Sequence, residues 1–196
     1  MSRTSRWAGL SRAERQAERR RLLVRAAFEL FGEDGEAAVT VRSVCRRSEL
    51  NTRYFYESFA DTDELLGVAY DFVVGDLIGA LAAAMADLPD DRARLQAGIR
   101  TVLDFSSEDP RRGKLLFTEA RTNPVLAARR STIQEQLRKS VLDEGPTTSR
   151  PARIADLVGA AMYAGAMAEL AQQWLSGSLG DDLQPVVDAA VRQLMR

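Results

Sequence analysis

The stretch Thr40–Leu66, TVRSVCRRSELNTRYFYESFADTDELL, leaves this chain fewer folds than any other segment does. It reads as a short helix, a tight turn, a second short helix and the opening of a long third one. Thr40 and Asn51 are residue types that accept a hydrogen bond from the first free N–H groups of a helix, so each predicts a helix start. Asp61 with Glu64 predicts another start through a capping pair. Val41, Val44 and Cys45 fall on the inner side of the first short helix, and Phe55 and Phe59 on the inner side of the second. The outward positions are arginine, tyrosine, threonine and asparagine.

The rest of the chain is helical in period as well, and no run alternates in the manner of a strand. Ser11 and Glu14 form a capping box before a helix that carries the stripe Leu23, Ala27, Leu30 and Phe31 and ends near Gly32 or Gly35. The long helix from Asp61 is expected to reach Ala86, with Leu65, Ala69, Phe72, Leu77, Leu81 and Met85 on its buried side, before Leu88-Pro89-Asp90 breaks it. A fifth helix follows through Leu95, Ile99, Val102 and Leu103. Asp109-Pro110 opens a sixth and Asn123-Pro124 a seventh, proline suiting the first turn. An eighth starts at Pro151 and a ninth covers Asp182 to Met195. The expected architecture is all-α. An N-terminal three-helix helix-turn-helix head, residues 1–66, is fused through the long fourth helix to a helical body, residues 67–196, with no polar linker between them.

Charge divides the same way. Residues 1–60 hold twelve arginines against eight acids, while residues 61–196 hold fifteen basic and twenty acidic residues, so a net charge of −1 hides a basic head on an acidic body. The chain has no histidine, and Cys45 is its one cysteine, which excludes an intrachain disulfide, the usual zinc sites and a histidine general base. Cys45 itself reads as a small core residue. No convergent nucleophile, acid–base pair or metal cluster is visible, so neither an enzyme nor a bound cofactor is expected. No apolar run is read as long enough to span a membrane, and the arginine-rich N-terminus lacks an apolar signal core. The expectation is a cytoplasmic protein without a membrane partner.

A basic head of this layout can place one helix in the DNA major groove while its neighbours hold phosphates. Thr52, Arg53 and Tyr56 share one side of the third helix because they lie three and four residues apart, and Tyr54 stands at the border. Arginine can donate two hydrogen bonds to guanine O6 and N7. Tyrosine can reach a phosphate or pack on a thymine methyl, and Asn51 and Thr52 add phosphate contacts at the helix start. Arg42, in the first turn of the second helix, belongs to the element that crosses the backbone, and Thr62 can donate its hydroxyl. Arg3, Arg6, Arg12, Arg15, Arg19, Arg20 and Arg21 supply attraction to phosphate of any sequence. The duller readings are a solvated arginine face and a purely structural aromatic cluster. With them goes the alternative function, a helical protein- or membrane-interaction module without specific DNA binding.

From Leu22 to Leu66 the chain resembles the TetR/AcrR family of one-component transcriptional regulators. Tyr56, Phe59 and Leu65 stand where that family has a late recognition-helix tyrosine, a phenylalanine three residues on and a leucine in the next helix. Thr40-Val41-Arg42 matches its common start to the second helix. Three residues depart from the pattern. Glu49 replaces the turn glycine, Thr62 replaces a frequent lysine, and Arg53 replaces a small residue, which implies a different base preference. The resemblance implies a DNA operator as partner, a homodimer joined through the last two helices, and release from DNA by a small hydrophobic or amphipathic effector, most often from repression. Effector-lining candidates are Phe72, Leu103 and Phe117 with Met162, Tyr163, Met167 and Trp174, each of which also reads as plain core. Independently of the family, Ile154, Leu157, Val158, Ala161, Gly165 and Ala168 form one small-residue stripe on the eighth helix. It reads as a dimer interface, or as a helix buried inside one subunit.

Overall fold

A computed structural model describes residues 9, 11–118, 123–144 and 150–195, with backbone alone for 134, 136–144, 150–157 and 160. Among the described residues there is no strand. The helices are α1 (Arg12–Asp34), α2 (Val41–Ser48), α3 (Thr52–Tyr56), α4 (Thr62–Met85), α5 (Asp91–Glu108), α6 (Pro110–Gly113), α7 (Pro124–Glu144), α8 (Arg150–Leu175) and α9 (Leu183–Leu194). The chain forms two compact units, residues 1–71 and 72–196. The division lies inside α4, slightly beyond the expected boundary at residue 66.

The head is assembled by caps and one aromatic core. Ser11 and Glu14 form the capping box of α1, and Thr40 and Ser43 form that of α2, with Ser43 N–H donating to Thr40 Oγ1 over 3.1 Å. Each such cap is worth about 1 kcal/mol. Asp61 Oδ1 accepts from Glu64 N–H (2.8 Å), and the Glu64 carboxylate accepts in return from Ala60 N–H (2.8 Å), so α4 opens as its sequence predicts. Leu23, Ala27, Leu30 and Phe31 of α1, Val44 and Cys45 of α2, and Phe55, Phe59 and Leu65 are all buried, and α1 packs against both α2 and α3. Fully burying each large apolar side chain contributes roughly 1.5–3 kcal/mol. Burial also pushes the Cys45 thiol pKa up, so the side chain behaves as an apolar filler.

In the body, Ile99, Val102 and Leu103 of α5 pack with Met167 and Ala171 of α8 and Val187 and Val191 of α9. Gly113 lets α6 lie close to α8, since a Cβ there would run into the Leu175 side chain. Asp109 caps α6 through Arg111 N–H (3.1 Å), and Asn123 Oδ1 accepts from Leu126 N–H (2.9 Å) to cap α7.

Three sequence expectations change. The sixth helix is a single α turn that passes into a π-helical turn, Lys114–Thr118, which buries Leu115 and Leu116. Phe72 does not join the buried side of α4. It is 51% exposed, because Ala69, Tyr70 and Val73 take the covered positions of that turn. Finally, α4 is in fact long and apolar enough to cross a bilayer by length and composition. Its first half is packed through Leu65, Leu66, Ala69, Tyr70 and Val73, it carries the acids Asp71 and Asp76, and 33% of its most apolar window is buried.

Candidate nucleic-acid interface

Five residues of helix do not persist in water by themselves. Helix α3 exists because Asn51 Oδ1 accepts from Tyr54 N–H (3.1 Å) at one end and Phe55 is fully buried in the middle. The Phe55 ring packs edge-on against Tyr56 at 5.3 Å and tilted against Phe59 at 6.1 Å. With the inner face pinned, the opposite face presents Thr52, Arg53 and Tyr56 to solvent, Tyr56 at 62% exposure and the Arg53 side chain at 83%.

The turn into α3 is held by Leu50 N–H donating to the Cys45 carbonyl (3.0 Å) and Glu49 N–H donating to the Arg46 carbonyl (3.3 Å). This arrangement needs a left-handed residue after Ser48. Glu49 supplies it at φ +57°, the one positive φ at a non-glycine residue among those described. The expectation that a side chain stands where the turn calls for glycine is thus met in the backbone.

The remaining candidates lie on the segments that precede and follow α3, or within it. Arg42 is exposed in the first turn of α2, and Asn51 is exposed at its cap position. Tyr54 is half-buried, with the Arg19 guanidinium 4.4 Å from its ring centroid, so one face of the ring is covered. Thr62 is half-buried at the start of α4 and lines a shallow depression with Glu36, Ala37, Val39, Asp63 and Leu66.

The N-terminal arginines separate into different roles. Arg20 Nη1 donates to the Ser58 carbonyl over 2.6 Å, and its guanidinium lies 4.1 Å from the Phe59 ring centroid. Arg19 reaches Glu57 at 3.9 Å, and Arg21 pairs with Glu18 at 2.7 Å. Arg19 and Arg20 therefore bind α1 to α3 and the residues after it. Arg12 remains exposed, Arg15 is half-buried, and Arg3 and Arg6 lie outside the described residues. Sequence reasoning also passed over Glu57. Its Oε1 accepts from Arg53 Nε at 2.9 Å, and the four-residue spacing of an arginine and a glutamate on one helix was the available signal.

In the body, Leu103 and Met167 belong to the buried cluster, and Phe117, Tyr163 and Trp174 pack against it from one side or another. Trp174 Nε1 donates to Ser107 Oγ (2.6 Å), and burial raises the Tyr163 pKa, so its phenol stays neutral. Met162 at 69% exposure and Phe72 face outward instead. Of the stripe on α8, Val158, Ala161 and Gly165 are exposed and Ala168 is half-buried. The side chains of Ile154 and Leu157 lie outside the described residues.

Three helices of this length, capped in this order and presenting the third outward, define a helix-turn-helix protein. Residues 23–69 match the model of the family of bacterial regulatory proteins, tetR family. It is 28% identical over 127 residues to the HTH-type transcriptional activator FasR of Mycolicibacterium smegmatis, covering 64% of this chain and 58% of that protein. It is 31% identical over 91 residues to the HTH-type transcriptional regulator BetI of Stenotrophomonas maltophilia, covering 46% and 45%. The matches thus span about half the length of these relatives. The fold is shared with the transcriptional regulator FadR of Bacillus subtilis, solved in complex with stearoyl-CoA, at a TM-score of 0.67 and 13% identity over 89% of this chain and 96% of that one.

Proposed function

We propose that the chain is a sequence-specific DNA-binding transcriptional regulator that acts in the cytoplasm as a homodimer and leaves its operator when a long-chain amphipathic molecule binds the body. The observation that carries the DNA reading is the outward face of α3. Arg53, Tyr56 and Thr52 are solvent-exposed while Phe55, one residue from Tyr56, is fully buried, so the polar face cannot be a misread core. Arg42 and Asn51 flank it and serve as phosphate contacts.

The regulatory half rests on the body, residues 72–196. Its apolar residues Leu103, Phe117, Met167 and Trp174, with the neutral Tyr163 hydroxyl, would suit a mostly apolar ligand with one polar anchor. The FadR fold-relative was solved with stearoyl-CoA, which supports an acyl thioester as the effector class. Ligand and DNA are then coupled by population shift, the ligand binding better to a dimer whose recognition helices do not match two half-sites about 34 Å apart. Where the operator overlaps a promoter the bound dimer represses.

The test is DNA binding to the promoter region beside the chain's own gene, measured by fluorescence anisotropy over a salt series, with stearoyl-CoA titrated into the preformed complex. A preferred sequence, affinity falling steeply with salt, and release by the acyl-CoA are expected. Equal binding to every duplex would sink the regulator reading. Specific binding insensitive to acyl-CoAs of any length would sink the effector class alone.

A further inference from the structure

We infer that Glu57 is a specificity-determining residue, holding Arg53 in the one orientation that reads a guanine through the outer edge of its guanidinium. The inference rests on the proposed role of Arg53 as the base-reading side chain.

Arginine can grip the O6 and N7 of guanine in two ways, side-on through Nε and one Nη, or end-on through both Nη groups. Here Nε donates to Glu57 Oε1 at 2.9 Å, so the side-on edge is already spent within the protein. The end-on edge is what the 83%-exposed side chain has left to offer. Glu57 has a second cationic neighbour. Its other oxygen lies 3.9 Å from Arg19 Nη2, and the Arg19 guanidinium rests over the Tyr54 ring at 4.4 Å. A chain of contacts thus runs from Tyr54 through Arg19 and Glu57 to Arg53, tying a residue of α1 to the tip of the recognition helix. Arginine is among the most conformationally costly of the base-reading side chains to order, and a partner that orders it beforehand moves that cost out of the binding step.

The same carboxylate has an opposite effect on affinity. Placed on the helix that approaches the phosphates, a negative charge weakens binding to every duplex alike. Glu57 therefore gives up general affinity in exchange for discrimination, and the two effects come apart on substitution. Glu57→Gln removes the charge and keeps an oxygen that accepts from Nε. Glu57→Ala removes both.

The experiment selects bound duplexes from a randomised library with the full-length wild type, Glu57→Gln, Glu57→Ala and Arg53→Ala. It also measures the affinity of each for one duplex of unrelated sequence. Both Glu57 variants should bind the unrelated duplex more tightly than wild type. Preference at the base pair lost in Arg53→Ala should fall about two- to tenfold in Glu57→Ala, the range expected when one rotamer-rich side chain must be ordered on binding. It should persist in Glu57→Gln. Thermal melting of each variant confirms a folded head. If Arg53→Ala changes no base preference, the reading of Arg53 itself fails and this inference with it. If Arg53→Ala does, but Glu57→Ala keeps full preference, or Glu57→Gln loses as much as Glu57→Ala, Glu57 has no part in specificity.

Discussion

Single residues carry most of what distinguishes this head from others of its architecture. Glu49 holds a left-handed conformation that costs a side-chain-bearing residue about 1–2 kcal/mol, against roughly 0.5–1 kcal/mol of extra chain entropy that glycine would lose on folding. Glu49→Gly should therefore stabilise the chain by about 0.5–1 kcal/mol, seen as a thermal midpoint raised by a few degrees at most; an unchanged or lowered midpoint would mean the turn is unstrained. Arg42 stands exposed in the first turn of α2, outside α3. Arg42→Ala should weaken all duplexes alike and lower the slope of log affinity against log salt by about one unit, whereas a sequence-dependent loss would make it a base contact. Both residues were legible beforehand, because a cap, a turn and a helix face are decided within four residues of sequence. The Arg19 and Arg20 contacts were not. They join positions nearly forty residues apart, and no local pattern distinguishes an arginine laid across a phenylalanine from one reaching into solvent.

At the level of elements, boundaries signalled by side-chain caps were readable and geometry imposed by packing was not. Ser11, Thr40, Asn51, Asp90, Asp109, Asn123 and Asp182 all stand at helix starts and accept from a backbone N–H within the first turn. The π-helical turn Lys114–Thr118 has no such marker, since burying Leu115 and Leu116 decides it. Asp109 illustrates how much one cap can hold. Its carboxylate accepts from the Arg111 N–H and takes both Arg111 Nε and Nη2 at 2.9 Å. Hydrogen bonding to the Arg111 side chain, with the backbone bond and the charges of Arg111 and Arg112, holds its pKa below the ordinary aspartate value against the effect of burial. A lowered folded-state pKa gives stability that is complete above the unfolded pKa and is lost as pH falls through the folded one. Asp109→Asn keeps a capping oxygen but cannot titrate. The variant should melt lower than wild type near neutrality and lose less of its midpoint between neutral and acid pH. Parallel curves for the two proteins would show that Asp109 contributes nothing to acid sensitivity.

For the whole molecule the sequence could say that two parts exist, but burial alone could sort their surfaces. Val158, Met162 and Gly165 lie at successive turns of one face of α8, and that face is solvent-exposed in the single chain, Val158 at 50% and Met162 at 69%. Apolar and small residues left uncovered along a helix are what a twofold partner helix would cover, and a helix-turn-helix reader needs a partner to meet its second half-site. Placing two carboxylates there should keep the fold, because neither side chain fills the core of Ile99, Leu103, Met167 and Val191. Yet it would set like charges against each other across a dimer axis. The Val158→Glu, Met162→Glu variant is therefore expected to sediment at half the wild-type mass with an unchanged circular dichroism spectrum. Its affinity for a two-half-site duplex should drop to that for a single half-site, while wild type is expected to bind the paired sites far more tightly than either one. A variant that stays dimeric would move the interface off this face of α8. One that becomes monomeric yet binds paired half-sites as wild type does would remove dimerisation from the mechanism.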